Sequence, residues 1–180
     1  AKIPVGLSMT GEIDYSGKRK RSLVMIALVS LGGMIAMGGT MGTDLALDVA
    51  SVLPLGVPKV LLSTVSFSPL LPPDRIAPDL IMILWAGGLY GLNSICKSSL
   101  SQACGAALGA ARLVVQPQKD RPVIGMTSLG SGSLKYMISL KPELEKRGYE
   151  VAIFHTTGMG GRAMESLAQQ KELVAGLDFS

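Results

Sequence analysis

From residue 34 onward, short runs of consecutive apolar residues alternate with glycine- or serine-rich loops and with longer segments of mixed polarity. Continuous apolar runs mark strands buried on both faces, and the longer mixed segments mark the crossover helices that bury them. The pattern predicts strands over Met34 to Met37, Val57 to Val65, Asp79 to Leu84, Pro122 to Thr127 and Glu150 to His155. A last apolar run, Leu173 to Leu177, ends at Asp178. Helices are predicted over Thr43 to Leu53, with Thr43 or Asp44 near the N-cap, and over Leu89 to Val114, Ser133 to Arg147 and Arg162 to Lys171. Pro54-Leu55-Gly56 stops the first of these and Gly148 ends the third.

This order implies an α/β fold: Rossmann-like parallel sheets flanked by helices, in two units. The first unit is expected over residues 1–115 and the second from 122 to 180, with the polar, proline-containing stretch 116–121 as linker. The strands at 34, 57 and 79 are expected to be parallel neighbours, and those at 122 and 150 to pair in a second sheet. A three-stranded parallel sheet leaves an edge and part of both faces bare. The second unit is therefore expected to be incomplete, the chain being a fragment or pairing with something else. Between the second and third strands, the Pro- and Ser-rich loop Ser66 to Pro78 is long for a compact α/β unit, and such loops are often functional.

Residues Ser22 to Thr43 carry no charge and are long enough to cross a bilayer. Gly32, Gly33, Gly38, Gly39 and Gly42 with Ser30, Thr40 and Thr43 make the second half a poor lipid-facing helix. A buried element, a turn at Gly32-Gly33 and a buried strand account for the same residues, and no membrane span is expected.

At 48% hydrophobic and 17% charged residues the chain is too apolar for disorder. The formal charge of +4 owes much to one run, Lys18 to Arg21, and the few aromatics are scattered. Nucleic-acid surfaces combine a basic face with aromatic platforms, so no nucleic-acid partner is expected. Cys96 and Cys104 lie in one predicted helix, about 12 Å of rise apart, which forbids a mutual disulfide and suits a reducing compartment. The opening Ala1-Lys2-Ile3-Pro4 lacks the order of a secretory signal, and a cytoplasmic location is the expectation.

Three strand-to-helix segments are rich in glycine and hydroxyls: Gly38-Gly39-Thr40-Met41-Gly42-Thr43, Thr127-Ser128-Leu129-Gly130-Ser131-Gly132-Ser133 and His155-Thr156-Thr157-Gly158-Met159-Gly160-Gly161-Arg162. Glycine admits close approach of an anion, helix N-termini offer N–H groups, and hydroxyls add donors. Phosphate is the expected guest, at the side where open α/β sheets bind ligands. Tight turns also need glycine for steric reasons alone.

Gly158-x-Gly160-x-x-Ala163 also fits the dinucleotide fingerprint, with Asp178 twenty residues after Gly158 as a ribose acid. An NAD(P)-dependent oxidoreductase is accordingly the alternative to a nucleotide-binding protein. A third alternative is a scaffold whose loops are structural and whose apolar helix Leu89 to Val114 supports assembly. No Walker A motif occurs, since Arg19 stands where Ser or Thr should follow Gly17-Lys18. His155 is the single histidine, which excludes a His-rich metal enzyme. It reads either as a strand-end hydrogen-bonding residue or as an acid or base beside a ligand. Arg162 either pairs with Glu165, one turn on, or faces a phosphate with its fork.

Gly38 to Thr43, Leu53-Pro54-Leu55-Gly56-Val57-Pro58-Lys59-Val60 with Ser63-Thr64, Gly91-Leu92-Asn93 and Phe154 to Glu165 together resemble uncharacterised protein family 0261, a bacterial and plant family. The resemblance covers residues 34–180; earlier, only a first strand at Ile3 to Leu7 fits. It implies two α/β domains in a chain about twice as long, and ATP, with Mg alongside, as the nucleotide held by the glycine segments. A homo-oligomer, or the remainder of a longer protein, is the implied partner. A plant member inhibits viral RNA replication by binding a viral replication protein, a role not carried over to this chain. The resemblance designates no catalytic residue.

Overall fold

A computed structural model describes residues 25–29, 32–85, 92–118 and 120–180. The strand at Ile3 to Leu7, the basic run Lys18 to Arg21 and the Gly87-Gly88 turn lie outside these residues. The chain divides into two compact units, Ala1–Gln116 and Pro117–Ser180.

In the first unit, strands β1 (Met25–Val29), β2 (Gly33–Gly38), β3 (Lys59–Ser63) and β4 (Leu80–Leu84) form one sheet in that order. β2, β3 and β4 are parallel, as expected from their apolar runs. β1 stands where an element was expected ahead of the Gly32-Gly33 turn; it pairs antiparallel with β2 across Gly32, whose φ of +81° favours glycine. Within the uncharged stretch, residues 25–29 and 33–38 are thus paired strands rather than parts of one helix. Among the described residues no helix is long and apolar enough to cross a membrane.

Helices α1 (Thr40–Val52) and α2 (Ser94–Leu113) cover the two faces of this sheet. Met34, Ala36 and Leu61 pack under Ala46, Leu47 and Ala50 of α1. Val60 and Leu62 point the other way, onto Cys96, Ala103 and Ala107 of α2, with Trp85 beside them. Alternate residues of β2 and β3 are buried on opposite faces, which is why these strands read as unbroken apolar runs.

Two polar fastenings escaped the sequence reading. Lys59 is 1% exposed, and its Nζ donates to Pro54 O at 2.9 Å, Val57 O at 3.1 Å and Asp79 Oδ2 at 2.7 Å. Asp79 Oδ2 also accepts the Gly56 N–H at 3.0 Å, so one carboxylate and one ammonium close the turn ahead of β3. The long connection 64–79 contains a 3-10 turn, Pro73–Arg75, and is tied down at that point. The Arg75 guanidinium donates to the side chains of Asp44 and Asp48 on α1, and those hydrogen bonds raise its pKa above the ordinary value.

In the second unit, β5 (Val123–Ser128), β6 (Glu150–His155) and β7 (Ala175–Leu177) are all parallel, in the order β6-β5-β7. Helices α3 (Gly130–Lys146) and α4 (Gly160–Gln169) make the crossovers on opposite faces. Met137, Leu140 and Leu144 of α3 pack on Ile124, Met126 and Val151. On the α4 face Gly125 and Gly176 are cross-strand partners. A Cβ on Gly125 would lie 2.8 Å from Leu173 Cδ1 and 3.3 Å from Met164 Cε, and one on Gly176 would lie 2.8 Å from Met164 Cε. Gly148 follows the end of α3 in the left-handed region, φ +88°, where a helix-ending glycine belongs.

Three helices begin earlier than their sequence pattern predicts. α1 starts at Thr40 rather than Thr43, α3 at Gly130 rather than Ser133, and α4 at Gly160 rather than Arg162. Glycine is poor inside a helix but tolerable in the first turn. The glycine segments are therefore largely first turns of helices, and the connections before α1 and α3 shrink to Gly39 and Leu129. α2 departs the other way, starting at Ser94 instead of Leu89, because the Asn93 side chain caps it there by accepting the Cys96 N–H at 2.9 Å.

Candidate functional site

In the first unit the carboxyl edge of the sheet carries Gly38 to Thr43. A Cβ on Gly38 would lie 2.8 Å from Gly42 Cα, so these two glycines let strand and helix cross in contact. Thr43 is buried and its Oγ1 lies 2.5 Å from Ser63 Oγ, which also accepts the Val65 N–H at 3.1 Å. Gly38, Gly42 and Thr43 are thus enclosed by packing. Gly39, half-buried at the helix start, and Thr40, exposed, are what this segment offers to a ligand, with the exposed Thr64 next to Gly39.

In the second unit, the order β6-β5-β7 places the crossovers after β5 and β6 on opposite faces, so the chain parts around the carboxyl end of β5. Open α/β sheets bind ligands at such a switch point. Thr127 and Ser133 are buried and occupied: Ser133 Oγ lies 3.0 Å from Ser128 Oγ and accepts the Leu129 N–H at 3.1 Å. Gly130, Ser131 and Gly132 are exposed in the first turn of α3. Thr156 joins the neighbouring connection to this one, its N–H donating to Ser128 O at 3.1 Å and its hydroxyl to the same oxygen at 3.3 Å.

Beyond Thr156 the connection runs through exposed Thr157 and Gly158 into α4. His155 Nδ1 accepts the Thr157 N–H at 3.2 Å, which fixes the imidazole against its own loop. Gly160 is set by sterics, because a Cβ there would fall 1.8 Å from His155 O. Gly161 has open space around it and is half-buried. Arg162 and Glu165 are both exposed, and among the described residues they form no ion pair with each other.

The dinucleotide fingerprint does not find its geometry here. It belongs to the strand at the switch point with the acid on the adjacent strand, whereas β6 is an outer strand and β5 separates it from β7. Gly160, the second glycine of the pattern, is spent on packing against its own strand. Asp178 instead adjoins β5: its Oδ1 accepts the Thr127 hydroxyl at 2.6 Å, the Ser180 N–H at 3.0 Å and the Ser180 hydroxyl at 2.7 Å. Thr127 Oγ1 in turn accepts the Phe179 N–H at 2.7 Å.

These hydrogen bonds, the one from Thr127 first, pull the Asp178 carboxyl down to about 2 from 3.8. A depressed folded-state pKa adds stability that is fully present above the unfolded value and is lost as pH falls through the folded one. Thermal melts should therefore show the advantage of the wild type over Asp178→Asn shrinking between about pH 4 and pH 2. Acid profiles that run parallel over that window would mean the bonds do not hold the ionised form. Among the described residues no three His, Cys, Asp or Glu side chains gather as a metal-holding group.

Residues 17–116 match the N-terminal domain, and residues 121–180 the C-terminal domain, of an uncharacterised protein family, UPF0261. A UPF0261 protein of Brucella suis biovar 1 (strain 1330) is 63% identical over 174 residues, which cover 97% of this chain and 37% of that protein. A UPF0261 protein of Clostridium tetani is 34% identical over 151 residues, covering 83% of this chain and 37% of its own length. The ToMV resistance protein Tm-1 of Solanum lycopersicum is 32% identical over 157 residues, covering 84% of this chain and 21% of the plant protein. The chain thus spans well under half the length of these relatives. With both domain matches in chain order and the strand-to-helix segments where they are, the chain belongs to the uncharacterised protein family UPF0261.

Proposed function

We propose that this chain binds a nucleotide, ATP, through phosphates held at the carboxyl edge of the second unit's sheet. The observation that carries the reading is the state of the helix starts. The three helices that follow glycine segments have Gly39, Leu129 and Met159 at the N-cap, and none receives a side-chain cap. Leucine and methionine have no acceptor to give the first-turn N–H groups. α2, which follows none of the three glycine- and hydroxyl-rich segments, is capped by Asn93. The chain thus provides an acceptor where no ligand is expected and omits one at each candidate loop, and an anion is the complement that helix starts favour.

In the second unit two such starts follow adjacent strands and are joined through Thr156 and Ser128. Gly130, Ser131 and Gly132 supply N–H groups on one side, and Gly158 to Arg162 supply them on the other. Arg162 adds a guanidinium that Glu165 does not occupy. The family resemblance drawn from the same segments implies the same ligand. Neither line of support designates a catalytic group, so turnover of the nucleotide forms no part of the proposal.

Titration calorimetry with ATP, NAD and inorganic tripolyphosphate tests it. ATP and tripolyphosphate should bind, and Arg162→Ala should weaken both by roughly ten- to a hundred-fold, the equivalent of one charge-assisted hydrogen bond. Adenosine should be indifferent to that substitution. Absence of ATP binding at millimolar concentration, or NAD binding in its place, would sink the reading.

A further inference from the structure

Tyr136 and Phe179 stack with ring centroids 5.4 Å apart and planes 2° from parallel. The two residues do not have the same reason to be there. Phe179 packs against the Ile124, Met126 and Val151 core and is pinned through its N–H to Thr127. Tyr136 stands outside that cluster and is 59% exposed, in a chain with only three Phe, one Trp and four Tyr. Its ring is backed on one side and open on the other.

The position of that open ring is specific. Tyr136 follows Gly132 by four residues, so both lie on the same flank of α3, about 6 Å apart along the axis. Helical side chains lean toward the N-terminus, which brings the ring toward the exposed first turn of α3. Phe179 lies two residues beyond β7, directly after Asp178. The stack therefore flanks the carboxyl end of β5 on its β7 side, while Arg162 and the α4 start lie on its β6 side. Of the two Asp178 oxygens, Oδ1 takes the three hydrogen bonds from Thr127 and Ser180; among the described residues nothing donates to Oδ2.

We propose that the open face of Tyr136, backed by Phe179, is the shelf on which the nucleobase stacks, with Asp178 Oδ2 accepting a ribose hydroxyl. The inference rests on the nucleotide reading of this same sheet edge and gives the ligand a direction: base over β7, phosphates running across β5 toward β6. It assigns Asp178 to the loop after β5 instead of the Gly158 segment. A parallel aromatic pair presents a flat surface of base-like size, and stacking on it discriminates little among bases.

Calorimetry on Tyr136→Leu and Tyr136→Phe with ATP, adenosine and tripolyphosphate tests the shelf. Tyr136→Leu should weaken ATP and adenosine by roughly ten- to a hundred-fold, as one base–aromatic contact is worth, and leave tripolyphosphate unchanged. Tyr136→Phe keeps the ring and should bind all three as the wild type does, which also controls for folding. ATP binding equal in wild type and Tyr136→Leu, or a loss shared by tripolyphosphate, overturns the shelf while leaving the nucleotide reading standing. A wild type that binds neither ATP nor tripolyphosphate refutes that reading, and the shelf with it.

Discussion

An alanine at position 160 should cost the second unit its fold. The added Cβ would lie 1.8 Å from His155 O, 2.8 Å from His155 C and 3.2 Å from His155 N, all backbone atoms of β6 that no rotamer change can move. Relief requires α4 to back away from the strand end, which would lift Met164 off Gly125 and Gly176. We expect a loss of more than about 4 kcal/mol, in the range reserved for such backbone collisions. Gly161→Ala, one residue on and with nothing within 4 Å of its Cβ, is the matched control. It should be neutral or slightly stabilising, since alanine is the better helix former. Denaturant unfolding followed by circular dichroism distinguishes them, and a Gly160→Ala protein with wild-type stability would disprove the contact.

Lys59→Met is the second large effect. It removes the ammonium from a site where Pro54 O, Val57 O and Asp79 Oδ2 all accept from it, and leaves the carboxylate and two carbonyls without that donor. Removing one partner of a buried ion pair costs about 3–5 kcal/mol. Asp79 keeps 24% exposure and the Gly56 N–H, so water can reach it and the low end of that range applies. Lys59→Met combined with Asp79→Leu should recover part of the loss, because no carboxylate is then left unpaired. Equilibrium denaturation of the two singles and the double gives the coupling directly. A single-substitution loss below about 1 kcal/mol would show that Lys59 reaches solvent in solution.

Much of the fold was legible because burial on two faces leaves a simple trace. Val60, Leu61 and Leu62 are consecutive and all buried, two toward α2 and one toward α1, which a run of apolar letters reports directly. β6 emerged at its expected ends, Glu150 and His155, since a helix-ending glycine precedes it and a polar loop follows. Helix starts were less legible. Ser, Thr, Asn or Asp normally announces them, and only Asn93 does so here, inside a stretch that sequence periodicity extends back to Leu89. β1 was legible only as an element ahead of the turn at Gly32-Gly33, because apolar residues on either side do not specify a strand or its antiparallel pairing.

The candidate site was legible in its segments and not in its individual residues. Glycine types do not distinguish the steric glycines, Gly38 and Gly160, from exposed Gly130 and Gly132. Thr43, Thr127 and Ser133 carry the hydroxyls that suit a phosphate, yet the fold turns them inward to Ser63, Asp178 and Ser128. Spacing alone joined Asp178 to Gly158, whereas strand order puts β5 between them. Tyr136 and Phe179 are 43 positions apart and meet only because β7 returns beside β5. The Arg75 latch spans 31 residues in the same way.

The paired glycines under Met164 bear on motion in the second unit. Gly125 and Gly176 sit opposite one another in adjacent strands, and together they make a dent one thioether wide. Sliding α4 along the sheet would carry Met164 out of that dent, which exists only because Gly125 and Gly176 lack a Cβ. The helix is therefore keyed in place, and Arg162, two residues ahead of the key, rides on an anvil rather than a hinge. Any accommodation of a guest at this edge has to be made by the short stretch 156–159, whose four residues are the slack between strand and helix.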